Sequence, residues 1–166
     1  SLDFIHDSLA TGRRFRSLTV IDEFTRDSPA IEVDHSLPAL RVIEVLERLR
    51  EERGLPEVIV VDNGPEFTSQ ALEEWAHRNG VRLHFIRPGK PNDNAYIESF
   101  NGKFRDECLS VEWFRTRREG QVIIEAWRQH YNTVRPHSSL AYLTPHEFKQ
   151  HHPPIQDHPP RAIPQE

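Results

Sequence analysis

A single cysteine, Cys108, stands among 166 residues; this excludes an internal disulfide and fits a reducing compartment. No apolar run approaches the roughly 20 residues of a membrane span, and no signal-peptide pattern opens the chain, so a soluble protein of one ordinary-sized domain is expected. Zinc-type spacing is missing: His84 has no second His or Cys at a suitable distance and reads as an ordinary strand residue. There is no obvious Ser, Tyr or Cys nucleophile, which argues against a covalent intermediate. A net positive charge is lacking too. The formal charge of −5 weighs against nucleic acid as a partner, because DNA-binding surfaces carry a basic footprint. Placement matters more than the sum, however. Residues 78–92 hold Arg78, Arg82, Arg87 and Lys90 and no acid, so either a basic face or a solvated loop leads toward residue 94.

What is present reads as alternating strands and helices. Leu2 to His6, Phe15 to Phe24 and Ala30 to Val33 are strand-like, with Ala10 to Arg13 as a turn, and a three-strand meander is the economical start. Pro38 opens a helix to about Arg53 that buries Val42, Leu46 and Leu49; Glu44 and Arg48, four apart, mark its solvated side. Glu57 to Asp62 reads as a buried strand ending in the turn Asn63-Gly64-Pro65. Thr68 or Ser69 caps a helix through Asn79, with Leu72, Trp75 and Ala76 inward, and Val81 to Ile86 is a fifth strand. Residues 87–93, with two prolines and a glycine, cannot be regular structure. Thr116 to Glu119 is a capping box for a helix to about Asn132, with Val122, Ile123, Ala126, Trp127 and Tyr131 as buried positions; the two aromatics either join the core, the preferred reading, or stack on bases. Thr144 to Glu147 caps a short last helix. The Pro-rich segment from His151 onward is expected to be disordered.

Between these lies Asn94 to Ser110, helical by pattern. Ile97, Phe100, Phe104 and Cys108 make an apolar stripe, while Glu98, Asn101, Gly102 and Arg105 share another face. Asp62 ends a central strand, where α/β folds place ligand chemistry, and Asp3 lies in the first strand. Three acids brought together repel and raise one another's pKa unless a cation compensates. Hard oxygen ligands of this kind describe a Mg²⁺ or Mn²⁺ site. Asp22, also at a strand end, competes with Asp3 for the first place. Glu66 is left outside the trio, because its position in a first helical turn suits the helix dipole.

These acids, with VDNGPEF at 61–67, NAYIESFNGKFRDECL at 94–109 and YNTVRPHSSLAYLTP at 131–145, closely resemble the catalytic core of bacterial transposases of the insertion sequence three family, whose cores are akin to retroviral integrases. The resemblance implies an α/β, ribonuclease H-like fold over residues 1–150, a five-stranded mixed sheet flanked by helices, with a Pro/His-rich tail over 151–166. It implies that Asp3, rather than Asp22, joins Asp62 and Glu98 as catalytic residues holding two Mg²⁺ or Mn²⁺ ions. Lys90, from a mobile active-site loop, Lys103, and Arg105, seven positions after Glu98, become the expected DNA contacts. The implied enzyme is a polynucleotidyl transferase that nicks the ends of its element and joins the 3′-hydroxyl to target DNA. It would act as a homo-oligomer in the bacterial cytoplasm, at the nucleoid. Family members carry a helix-turn-helix region ahead of this core; none is present here, so recognition of the element's terminal repeats is expected to lie outside this sequence. His137, in the signature Arg135 to Leu140, reads either as a proton donor or phosphate contact, or as a structural tie, the preferred reading. Two rival classes are a ribonuclease H-type nuclease and a non-catalytic DNA-binding or assembly module.

Overall fold

Strand alternation divides the molecule into two cores. The computed structural model describes residues 1–153. Its opening strands β1 (Leu2–Ser8), β2 (Arg14–Val20) and β3 (Ala30–Asp34) form the expected antiparallel meander in that order. β4 (Val58–Val61) and β5 (Arg82–Phe85) form a parallel pair linked by helix α2 (Gln70–Arg78), and β4 lies beside β1. The five expected strands are thus present, hydrogen-bonded as a ladder of three and a ladder of two. One face of the strands, with Leu2, Leu18, Ala30, Ile59 and Val61, packs against α1 (Ala39–Arg53) and α2. The other, with Ile5, Phe15, Ile31 and Val33, packs against α3 (Ala95–Phe104) and α4 (Arg117–Thr133).

Local chemistry accounts for the boundaries. β2 stops at Val20 rather than near Phe24, because the Asp22 carboxylate accepts the amides of Phe24 (2.9 Å) and Thr25 (3.2 Å) and bends the chain. Gly54, at φ 79°, ends α1. The Ser69 hydroxyl caps α2 by accepting Leu72 N–H at 3.3 Å. Glu44 and Arg48 do not pair across α1 as their spacing suggested. Glu32, on the strand face beneath, instead accepts Arg48 and Arg41, each at 2.8 Å. α4 also departs from its sequence reading: Val122 and Ala126 face solvent, and the buried line is Gly120, Ile124 and Tyr131 with Trp127 partly covered. Those four positions repeat every three or four residues on the face turned to β3, and Val122 lies half a turn away.

α3 is longer than an α-helix alone. A 3₁₀ turn, Pro91–Asn94, leads into it, and a π turn, Arg105–Leu109, extends it, with Ser110 N–H donating to the Arg105 carbonyl at 2.8 Å. Ile97, Phe100, Phe104 and Cys108 are all buried as the pattern indicated. They meet Trp127 and Tyr131 of α4 in one aromatic cluster, with Phe100 and Tyr131 edge to face at 5.0 Å. His137 is buried beside it: its ring lies 4.5 Å from that of Tyr131 and its Nε2 lies 3.2 Å from the Tyr131 carbonyl. α5 (Pro145–His151) has a complete capping box from Thr144 and Glu147. Beyond it, the expected disordered tail lies outside the described residues from position 154 on. No helix among the described residues is long and apolar enough to cross a membrane.

The end of α4 is tied to the turn before β3 by buried Asn132, which accepts Ser28 N–H (2.8 Å) and donates to the Ser28 carbonyl (2.9 Å). Asn132→Ala leaves the buried Ser28 N–H without this partner, while the Ser28 carbonyl keeps Arg128 Nη1 at 2.6 Å. It is expected to cost about 1 to 3 kcal/mol, read as a lower urea midpoint at unchanged slope; a loss below about 0.5 kcal/mol would show that the tie is dispensable.

Candidate active site

Alternation that sends Leu2 and Phe4 toward α1 and α2 sends Asp3 to the opposite face, under α3. β4 repeats the pattern: Ile59 and Val61 enter the first core, and Asp62 follows on the other side. Glu98 sits in the first turn of α3, where the helix dipole favours an anion. Two adjacent strands and one covering helix therefore bring the three acids into one electrostatic neighbourhood. Asp3 registers it: its carboxyl is raised from an ordinary 3.8 to about 6 by burial, with further upward pressure from the Asp62 and Glu98 charges. The Phe4 amide and Asn101 oppose the rise by hydrogen bonding to the carboxylate.

Asn101 is the residue whose role the sequence did not reveal. One turn after Glu98, its Nδ2 donates to Asp3 Oδ2 at 2.8 Å, while its Oδ1 accepts the Thr19 hydroxyl at 2.8 Å. Thr19 is fully buried and stands directly across from Asp3 in the β1–β2 ladder. The chain Thr19–Asn101–Asp3 thus fixes the angle between helix and sheet at the acids. Gly64 does a related job for Asp62. Its N–H donates to Asp62 Oδ1 at 2.8 Å, and a Cβ on Gly64 would stand 2.9 Å from that same oxygen, closer than real contacts permit. The Asp-Asn-Gly turn carries a sequence signal for this close approach; Thr19 carries none without the strand register.

The other acids are engaged elsewhere. Asp22 caps its own turn and pairs with Arg53 at 3.7 Å. Glu66 pairs with Arg16 at 2.6 Å, which holds its carboxyl below the usual range against the opposing effect of burial. Among the described residues, no three His, Cys, Asp or Glu side chains stand close enough to cage an ion. Asp3, Asp62 and Glu98 are near enough to repel, and the donor set is all hard oxygen with one carboxyl driven toward protonation. That chemistry fits a divalent cation, whose charge would remove the repulsion.

The basic residues separate into two groups. Arg82 opens β5 and Arg78 ends α2, at the far end of the β4–β5 pair from Asp62, so residues 78–92 are not one basic surface beside the acids. A strand runs about 3.3 Å per residue, which puts the length of β5 between them. Arg87 is held by Asp93 at 3.1 Å, closing the loop around Gly89. Lys90 is exposed on that loop. Arg105 is exposed on the Glu98 side of the helix, and Lys103 is half-buried on another side, with Arg135 and Arg26 for neighbours.

Models of the integrase core domain match residues 1–91 and 79–145. The insertion element IS407 uncharacterized 31.7 kDa protein of Burkholderia multivorans is 52% identical over 159 residues, covering 96% of this chain and 57% of its own. The IS476 uncharacterized 39.2 kDa protein of Xanthomonas euvesicatoria is 48% identical over 148 residues, 89% and 43% of the two chains. The chain therefore spans about half the length of these curated relatives. Among solved structures, the HTLV-2 integrase catalytic core domain in complex with magnesium (trimeric form) superposes with a TM-score of 0.66 at 16% identity, over 89% of this chain and 92% of that one. A chain of the simian T-cell lymphotropic virus intasome in complex with PP2A regulatory subunit B56 gamma gives 0.71 at 18%, over 99% and 57%. The fold is accordingly the ribonuclease H-like α/β type that the sequence implied.

A raised carboxyl binds its proton more tightly in the folded chain, so its stabilising effect is complete below 3.8 and is lost as pH rises through about 6. Asp3→Asn removes that loss. The variant is expected to melt above the wild type at pH 7 and to converge with it below pH 3.8; a lower melting temperature at pH 7 would show that the Asp3 charge is not a burden on the fold.

Proposed function

The chain belongs to the integrase core domain family, and from that premise we propose that it is the catalytic core of an insertion-sequence transposase, a metal-dependent polynucleotidyl transferase acting on DNA. What supports the reading is that the Asp3 carboxyl of β1 feels the charges of Asp62, just past β4, and Glu98 of α3, while Asn101 clamps it. Asp3, Asp62 and Glu98 are the residues that would hold Mg²⁺ or Mn²⁺, two ions in the full site. When bound, such ions supply positive charge to the attacking and departing oxygens of a phosphodiester in line. The chain's own part is positional. Asn101 fixes which Asp3 oxygen is engaged, the Gly64 amide orients Asp62, and the helix start presents Glu98.

The substrate phosphates are assigned to Lys90, Lys103 and Arg105, which lie on the loop before α3, on its last turn and on the π turn. In the end-nicking step water attacks the phosphorus and the 3′ oxygen departs as a hydroxyl. In the joining step that 3′-hydroxyl attacks a target phosphodiester and a target 3′ oxygen departs. Each step exchanges one P–O bond for another and needs no redox partner or covalent enzyme intermediate. Element ends and target DNA are the proposed partners, with further copies of the chain, in the bacterial cytoplasm.

Asp62→Asn keeps the side chain's size and removes a ligand charge. It is expected to abolish Mn²⁺ binding seen by calorimetry and Mg²⁺-dependent joining of a pre-cleaved DNA end, with an unchanged circular dichroism spectrum. Undiminished joining by this variant would discard the mechanism, and cleavage of an RNA·DNA hybrid in place of joining would move the chain to the nuclease class. Arg105→Ala should weaken duplex binding and lower the salt slope by about 1; an unaltered slope takes Arg105 out of the interface.

A further inference from the structure

Arg26 has a left-handed backbone, φ 61°, at the end of the turn that Asp22 begins. Side chains rarely tolerate this region, and glycine would occupy it without strain. An arginine there needs a reason in what its side chain does. Its guanidinium carbon lies over the ring of Tyr96, 3.9 Å from the centroid, in the first turn of α3. Stacking uses the face of the guanidinium and leaves its N–H edge available, the edge that binds phosphate oxygens in pairs. The nearby acids are taken: Asp27 pairs with Arg53 at 2.6 Å, and Asp22 with Arg53 at 3.7 Å. Among the described residues Arg26 has no ion pair.

Tyr96 and Lys103 stand seven apart on α3 and share a face, on the side of the helix largely turned away from Glu98. Lys103 likewise has no ion pair among the described residues. Burial, Arg135 and Arg26 hold its ammonium below the ordinary lysine range, and Glu107 offsets this only in part. Arg135 is gripped by Glu107 through two nitrogens, the shortest separation being 2.6 Å. Three cations around one carboxylate, in a chain of net charge −5, make a local excess of positive charge that the fold maintains against repulsion.

We propose that Arg26, Tyr96, Lys103 and Arg135 form a phosphodiester-binding subsite for DNA, on the side of α3 away from Glu98. This rests on the reading of the chain as a DNA-acting core and extends it to Arg26, Tyr96 and Arg135. The subsite takes a backbone phosphate beyond the scissile one: Arg26 and Lys103 supply the donors, Tyr96 keeps Arg26 extended, and Arg135, already tied to Glu107, supplies field rather than a direct bond.

Arg26→Gly and Lys103→Gln test it through anisotropy of a labelled duplex, measured over roughly 50 to 200 mM salt, with Arg105→Ala as a parallel variant. Glycine suits the backbone at position 26, so that variant is expected to melt no lower than the wild type. Each of the two variants should nonetheless lower the salt slope by about 1, one phosphate's worth. Slopes unchanged in both, alongside a reduced slope in Arg105→Ala, would overturn the subsite and leave the DNA reading standing. A wild-type chain that binds no duplex at the lowest salt would bring down both.

Discussion

Asp3 is a carboxylate held under a helix, near two others of the same sign, and one hydrogen bond makes that arrangement definite. Asn101 donates to it from α3 while receiving the hydroxyl of Thr19 from the neighbouring strand. Thr19, Asn101 and Asp3 satisfy one another here, so the half-buried carboxyl avoids the penalty of an unsatisfied one. What remains is the charge itself, which burial and the other two acids push toward protonation. A fold built for stability alone would have no use for that repulsion; the proposed cation site would.

The sheet explains how such a site stays rigid. Both strand acids leave β1 and β4 on the face opposite the α1 and α2 core, so their backbones are pinned by Leu2, Ile59 and Val61 while their side chains turn to α3. α3 is in turn held by the aromatic cluster with Trp127 and Tyr131. The π turn at Arg105–Leu109 lets the helix continue past Phe104 with Cys108 and Leu109 both buried, and it presents Arg105 outward. The placement of charge departs from its sum for a physical reason. Arg41, Arg48, Arg53, Arg117 and Arg128 are engaged by acids away from the site, whereas Arg26, Lys90, Lys103 and Arg105, on or beside α3, have no ion pair among the described residues.

Much of this was legible in the chain. Period-two and period-3.6 patterns located five strands and the principal helices, and caps at Ser69, Thr116 and Thr144 marked helix starts closely. Errors fell where tertiary partners choose between local options. Arg48 had Glu44 within reach along its helix but turned to Glu32, which sits between two arginines on the strand beneath. The inward face of α4 was misjudged by half a turn at Val122 and Ala126, since Gly120, with no side chain to bury, gave no apolar signal for the stripe it belongs to. The supposed basic surface of residues 78–92 was divided by the length of β5, a distance that adjacency in sequence hides.

By itself the sequence determined the elements and carried the family phrases around Asp62 and Glu98, because local periodicity and turn chemistry are written residue by residue. Only the tertiary structure decided that Thr19 faces Asp3 across a ladder, that Asn101 bridges the two, and that Arg26 lies over Tyr96. Register, helix rotation and the direction of a strained turn are set by packing between segments distant in the chain, and no local pattern encodes them.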